Sequence, residues 1–424
     1  MCGIIAILKR PSGRETPPAG PIIGTLDEVV AELHAVAMDL GSRHGSPPAL
    51  EHAASLLDGA DVALRGTPGV ACLLAEPGLA VAEVVARRLA SLEAEIRVIE
   101  DRLDAEVLWS PSELEAVNAA LVRLKDGAWA IGRDRVAAAR AIADLWRCDG
   151  RNDTIPVPAL DALWAIQTAL SSLDRLEVRG RDSAGLHVLV TGHGLDLAGA
   201  SVRALLGSRA RDPLFTSMAV RTPLGQLSFV YKAAAEIGEL GDNTRALRAA
   251  IGSDRLLRCA IAGPDARCVV LGHTRWASVG VISQANAHPL NSEEVGRTDG
   301  PYVIAALNGD VDNFADLRAV EGLAIPAEVT TDAKVIPTLV SRSMAGGCAV
   351  DDAFRTVVDR FDGSVAIAAS TPVAPDRVHL ALRGSGQALY IGLAEDAYIV
   401  ASEPYGLVEE TSAYLRMDGE ISHG

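Results

Sequence analysis

Met1-Cys2-Gly3-Ile4-Ile5-Ala6-Ile7-Leu8 opens the chain, and its reading decides the rest. Removal of Met1, which a small residue at position 2 favours, leaves a cysteine carrying both a thiol and a free α-amine. One residue then holds a nucleophile and a base. The amine can take the thiol proton directly or through one water, and the thiolate is the reactive form. The apolar run behind it reads as a short buried strand that fixes the terminus inside a sheet. On these residues alone, Cys2 reads equally well as a small buried side chain, as free cysteine often is.

Composition removes several classes. The chain has 424 residues, 49% hydrophobic and 22% charged, which exceeds one average domain and gives ample core. Its net charge of −16 and the lack of any Lys/Arg stripe exclude a nucleic-acid partner. The six cysteines (Cys2, Cys72, Cys148, Cys259, Cys268, Cys348) show no CxxC spacing. That pattern predicts no metal site and a reduced, cytoplasmic setting. No basic region precedes the first apolar run, so no signal peptide is expected, and no stretch is long enough to span a membrane.

Residues 11 to 22 are rich in Pro and Gly and read as a loop. From 25 to about 160 the texture is helical. Val85, Leu89, Leu92, Ile96, Ile99, Leu103 and Val107 alternate steps of three and four, one helical face. Ser110-Pro111-Ser112-Glu113 reads as a helix start with a capping box. Gly127 or Gly132 is expected to end that helix, and another to run from Asp134 to Trp146. Such a leucine stripe is core or a helix seam rather than a cofactor site.

Beyond about 156, bursts of strand length appear: Leu186–Val190, Cys268–Leu271, Val303–Leu307, Val365–Ala369, Val378–Leu382 and Ala397–Ala401. Helical segments are expected at Ala159–Leu173 and Ala333–Ser343. Every dense polar motif lies here. Arg179-Gly180-Arg181-Asp182-Ser183-Ala184-Gly185 is a glycine-framed charged turn before a strand. Gly272-His273-Thr274-Arg275-Trp276-Ala277-Ser278 precedes Asn286-Ala287-His288-Pro289, and an Arg at a strand end suits bidentate capture of a carboxylate. Asn308-Gly309 is either a plain turn or a pair of donors aimed at one oxyanion. In Thr330-Thr331-Asp332, either threonine or Asp332 could cap the following helix, or Asp332 could hold a substrate ammonium.

Singly, each motif favours its structural reading. In order, they resemble the class II glutamine amidotransferases, which are N-terminal-nucleophile hydrolases. The likeness is greatest to the glutaminase domain of glutamine–fructose-6-phosphate aminotransferase (glucosamine-6-phosphate synthase), the donor half of hexosamine synthesis. Arg383-Gly384-Ser385, Tyr390-Ile391-Gly392, Ala401-Ser402-Glu403-Pro404 and Met417-Asp418-Gly419-Glu420-Ile421 agree with it. The resemblance covers roughly residues 1–10 and 165–421.

It implies an α/β (α+β) fold, a four-layer αββα sandwich with a large helical insertion. The implied division is 1–24 and 160–424 for the amidotransferase domain and 25–159 for the insertion, with a smaller insertion within 191–265. It implies Cys2 as nucleophile with its own α-amine as base, and Asn308 with the Gly309 N–H as oxyanion hole. It implies Arg275 on the glutamine α-carboxylate, Asp332 on the α-ammonium, and Trp276 and Ser278 on a closing loop. His288 is placed with the substrate-binding residues, and Arg179 and Gly180 form a supporting turn. No cofactor is implied. The implied partners are L-glutamine and a sugar-phosphate isomerase domain or chain that accepts the ammonia; the helical insertion is free to serve homo-oligomerisation, cover the site or dock that partner. The alternatives are an amidotransferase for another acceptor and a glutamine-binding regulatory module. Ser278 and Val279 stand where the family usually has Thr and His. Leu307 stands where it usually has His before Asn-Gly, and Arg181 replaces an aromatic residue.

Overall fold

Gly3–Lys9 (β1) runs through the interior of an eight-stranded antiparallel sheet, hydrogen-bonded on both sides. The computed structural model describes residues 2–38, 46–75, 80–105, 110–147, 154–234, 239–297 and 299–417. Met1, Val107, Cys148 and the Asp418–Ile421 stretch therefore lie outside the described residues. The remaining strands are β2 (Ser183–Thr191), β3 (Val220–Arg221), β4 (Leu227–Ala234), β5 (Arg267–Arg275), β6 (Leu290–Asn291) and β7 (Ile304–Val311). They continue with β8 (Gly363–Ser370), β9 (His379–Arg383), β10 (Tyr390–Leu393), β11 (Ala397–Ala401) and β12 (Tyr414–Arg416). The large sheet has the order β12-β10-β11-β1-β5-β2-β4-β3, and a second sheet the order β6-β7-β8-β9. All six apolar bursts fall on strands, with Val303 and Val378 one residue before theirs.

The two sheets stack through Ile4, Ala6, Val230 and Leu271 on one side and Ile304, Ala306, Ala366 and Ala368 on the other. The outer face of the small sheet packs Leu307, Val365 and Ile367 against the helices Val335–Ala345 and Val350–Val358 through Ile336, Leu339, Phe354 and Val357. The outer face of the large sheet carries the helix Val157–Leu176 over β1 and β5, and Asp242–Ser253 over β4 and β2. This is the four-layer αββα arrangement, two sheets between helical layers. A Cβ on Gly272 would lie 2.8 Å from Ile5 Cγ2 and 3.2 Å from Leu173 Cδ1, so the long helix settles on β5 only above a glycine.

Strand alternation then sorts the polar residues. Side chains at every second position share a face. Ile4, Leu271 and Ala306 face between the sheets, which puts Cys2, His273, Arg275 and Asn308 on that same inter-sheet side at one end of their strands.

The chain divides into two compact units, Ser12–Asp144 and the remainder. The described elements of the first are all helices: Ala19–Met38, Ser46–Ala63, Gly66–Leu73, Ala80–Ala105 and Pro111–Trp129, continued by a π-helical stretch Ala130–Val136 into Ala137–Trp146. Val85, Leu89, Leu92, Ile96 and Ile99 line the buried face of Ala80–Ala105. The capping box forms: the Glu113 N–H donates to Ser110 Oγ and the Ser110 N–H to Glu113 Oε2.

Two expectations are corrected. The Pro/Gly stretch is a loop only to Pro18, because Gly20 and Pro21 fall in a first helical turn, where proline is tolerated. Neither Gly127 nor Gly132 ends a helix. Neither has positive φ, and a Cβ on Gly127 would sit 2.9 Å from Leu57 Cδ2, so that glycine serves close packing. Within 191–265, β4 pairs with Ser183–Val190 of β2.

Candidate active site

Cys2 lies at the open end of β1 and is only partly exposed. Its backbone N–H donates to Asn308 Oδ1 at 3.2 Å, across the gap between the sheets. An amide whose oxygen faces that nitrogen turns its Nδ2 away, as a spare donor. The Cys2 Sγ lies 3.4 Å from the Trp276 nitrogen, whose N–H donates to it, and 3.5 Å from the Trp276 carbonyl. Burial pushes the Cys2 thiol up; the Trp276 N–H and the Arg275 charge pull it back, and Asp310 adds to the rise. The resting group is therefore a thiol that needs a base beside it.

Asn308 and Gly309 sit inside β7, opposite Ala366 and Val365, and not in a turn. Gly309 has φ +113°, and a Cβ there would lie 1.9 Å from the Ser364 carbonyl oxygen. No other residue fits that bend beside the Asn308 amide.

Arg275 closes β5 and is 2% exposed. Its guanidinium donates to the Val281 carbonyl at 3.2 Å and to the Val279 carbonyl, so it grips the loop that follows it. Burial lowers its pKa, against the pull of Cys2, Asp332 and Asp182. That loop is held at other points too. Asp182 accepts from the Ala277 N–H at 2.8 Å, Ser278 Oγ donates to Asp310 at 2.6 Å, and the Val281 N–H donates to Thr330 Oγ1 at 3.1 Å. Trp276 stands out from it, 58% exposed. The Val279 departure thus falls where the backbone carbonyl, which any residue supplies, makes the contact.

Asp332 is buried, and burial raises its carboxyl pKa, with Asp310 adding to the rise. Its Oδ2 accepts from the Val311 N–H at 2.8 Å. Thr331 holds the N-cap position but makes no side-chain cap. Asn286 Oδ1 takes the Thr330 and Thr331 N–H groups instead, at 2.7 and 3.0 Å. His288 is buried with both ring nitrogens engaged, Nδ1 by the Leu307 N–H and Nε2 by Thr331 Oγ1. It lies beneath Leu307, inside the protein.

The turn at 179–181 works one step back. Arg179 pairs with Glu403 at 2.8 Å and donates to the Tyr405 hydroxyl at 3.2 Å. A Cβ on Gly180 would be 2.6 Å from the Arg275 carbonyl carbon and the Trp276 nitrogen, so the turn lies flat against the peptide that touches the sulfur. Sequence reasoning missed Asp182, Asp310 and Asn286 as loop anchors. It also missed Ser402, whose Oγ and N–H bracket Ile4 at 3.1 Å each. Asp182, Asn286 and Ser402 stood inside quoted motifs, and their side-chain type was the available signal. Among the described residues no group of three His, Cys, Asp or Glu could hold a metal, and no helix is long and apolar enough to cross a membrane.

A cysteine thus stands at the head of a central strand, between two sheets flanked by helices. In sequence the chain is similar to glutamine amidotransferases. It is 32% identical over 154 residues to glutamine–fructose-6-phosphate aminotransferase (isomerizing) of Halalkalibacterium halodurans, covering 36% of this chain and 24% of that one. With the same enzyme of Streptomyces coelicolor it shares 30% over 250 residues, 58% of this chain and 31% of the relative. The chain thus spans about a quarter to a third of the length of these relatives. A solved glutamine phosphoribosylpyrophosphate amidotransferase from B. subtilis aligns with a TM-score of 0.38 at 20% identity, over 60% of this chain and 43% of that one. No family model matches.

Proposed function

We propose that residues 1–24 and 160–424 form the glutaminase domain of a glutamine–fructose-6-phosphate aminotransferase-like enzyme, and that 25–159 are a helical insertion in it. The observation that carries this reading is the Cys2 nitrogen on Asn308 Oδ1, with the sulfur under the Trp276 N–H. Once Met1 is removed, that nitrogen is an amine 3.2 Å from the oxyanion-hole amide and on the same residue as the thiol.

The amine takes the thiol proton and the thiolate attacks the glutamine side-chain carbonyl. The oxyanion is met by Asn308 Nδ2 and the Gly309 N–H. The amine returns its proton to the leaving nitrogen, which departs as ammonia. Water then cleaves the γ-glutamyl thioester, giving glutamate and the free thiol. Arg275 binds the α-carboxylate and Asp332 the α-ammonium, which sets a preference for glutamine over a simple amide. Trp276 and Ser278 close over the substrate. The ammonia passes to a sugar-phosphate isomerase domain or chain in the cytoplasm.

The test is ammonia and glutamate release from glutamine by protein whose N-terminal mass shows loss of Met1. Cys2→Ala is expected to abolish release. Substantial residual hydrolysis in that variant would sink the assignment.

A further inference from the structure

The edge of β7 that carries Asn308 and Gly309 is only partly covered by a neighbouring strand. Strand β6 reaches Ile304 and Ala305 and stops. Past that point side chains take over. The Leu307 N–H donates to His288 Nδ1 at 3.4 Å, and the Leu307 carbonyl accepts from His273 Nε2 at 2.8 Å. The two imidazoles lie 4.4 Å apart.

These contacts fix the protons. An amide N–H only donates, so His288 Nδ1 is bare and the ring proton is on Nε2. Nε2 therefore donates to Thr331 Oγ1 at 3.3 Å. The single hydroxyl proton of Thr331 goes on to Asp332 Oδ1, also 3.3 Å away. Asp332 Oδ2 accepts from the Val311 N–H at 2.8 Å, which returns the path to β7. The ring runs from Leu307 through His288, Thr331 and Asp332 to Val311, and it brackets Asn308–Gly309 on both sides.

We infer that His288 and Thr331 are positioning residues that bind the oxyanion strand and the ammonium-binding Asp332 into one unit. The inference rests on the glutaminase reading above. Through this ring, the grip on the substrate's α-ammonium and the placing of the Asn308 amide are set together. A shift in one moves the other, and misplacement of about 1 Å can cost up to about a hundredfold in rate.

Thr331→Val keeps the shape and removes the hydroxyl, while Thr331→Ser keeps the hydroxyl. The expected result is a loss in kcat of about tenfold or more for Thr331→Val, with recovery in Thr331→Ser. The Thr331→Val loss should shrink to near nothing when Asn308 is already Ala, because the ring then has no amide to place. Glutamate γ-semialdehyde, which forms a tetrahedral adduct with a thiol, should lose more affinity for Thr331→Val than glutamate does. Multiplying losses in the Asn308→Ala background, or an unchanged kcat in Thr331→Val, overturns the inference. Absence of ammonia release by the wild-type chain would instead count against the glutaminase reading. The ring is then read from the 15N spectrum of His288: an Nε2–H tautomer in the wild type that is perturbed by Thr331→Val supports it, and an Nδ1–H tautomer refutes it.

Discussion

The helical unit and the sandwich treat their polar residues in opposite ways. In Ser12–Asp144 the described histidines lie on the surface, His34 beside Glu95 and His52 beside Glu32. Its buried ion pair joins Asp61 to Arg135 at 2.9 Å, with Arg65 on the second carboxylate oxygen. In the sandwich, His187, His273 and His288 are buried, and His288 passes hydrogen bonds on to Thr331 and Asp332. A buried ion pair pins helices together. A line of buried groups passing hydrogen bonds to one another sets the position of atoms that must react. Polar chemistry in the first unit holds structure; in the second it also aims.

Acid should separate the two most strongly. Burial lowers His187 and His273 to about 3, against an ordinary 6.5. Both are neutral when folded, so protonation belongs to the unfolded chain. Their contribution to stability is complete above pH 6.5 and drains away as pH falls toward 3. At pH 5 each costs the sandwich about 2 kcal/mol, some 4 kcal/mol together. Hydrogen exchange at pH 7 and pH 5 checks this, after correction for the intrinsic rate. Protection in β2 and β5 should fall far more than in Ala80–Ala105. Equal losses in both would break the contrast.

Asn308→Ala comes next. It removes the acceptor for the Cys2 nitrogen and, on the proposed reading, one oxyanion donor. A fall of about 10²–10³ in kcat is expected, about 3–4 kcal/mol. KM should move less, since glutamine itself is held at its other end. A change confined to KM would place Asn308 among the binding residues and leave the oxyanion role without support.

What the sequence made legible follows the same division. Period-two and period-3.6 patterns are repeated over many residues, so the strand bursts and the face Val85–Ile99 were readable. Ser110 to Glu113 was readable because a capping box is local. Gly132 and Asn308-Gly309 were misleading for one reason: both carry a local turn signal that long-range packing overrides. The π-helical stretch continues through Gly132, and pairing with β8 holds Asn308 and Gly309 in a strand. The roles of His273, His288 and Thr331 were hidden because they depend on β6 beginning only at Leu290, opposite Ala305, a fact of pairing that no spacing encodes.

The smallest expected effect sharpens the comparison best. Ser110 and Thr331 are both hydroxyl residues at a helix N-cap. Ser110 spends its oxygen on the helix, accepting from the Glu113 N–H and donating to Glu113 Oε2 at 2.6 Å. Thr331 leaves its helix to Asn286 and spends its oxygen between His288 and Asp332. Ser110→Ala should therefore cost about 1 kcal/mol, read as faster amide exchange in the first turns of Pro111–Trp129, with glutamine hydrolysis unchanged. Thr331→Val should do the reverse, slowing hydrolysis while protection in Val335–Ala345 stays near its wild-type level. If Thr331→Val frays that helix as Ser110→Ala frays its own, the two hydroxyls are caps alike, and the division between holding and aiming fails at its clearest pair.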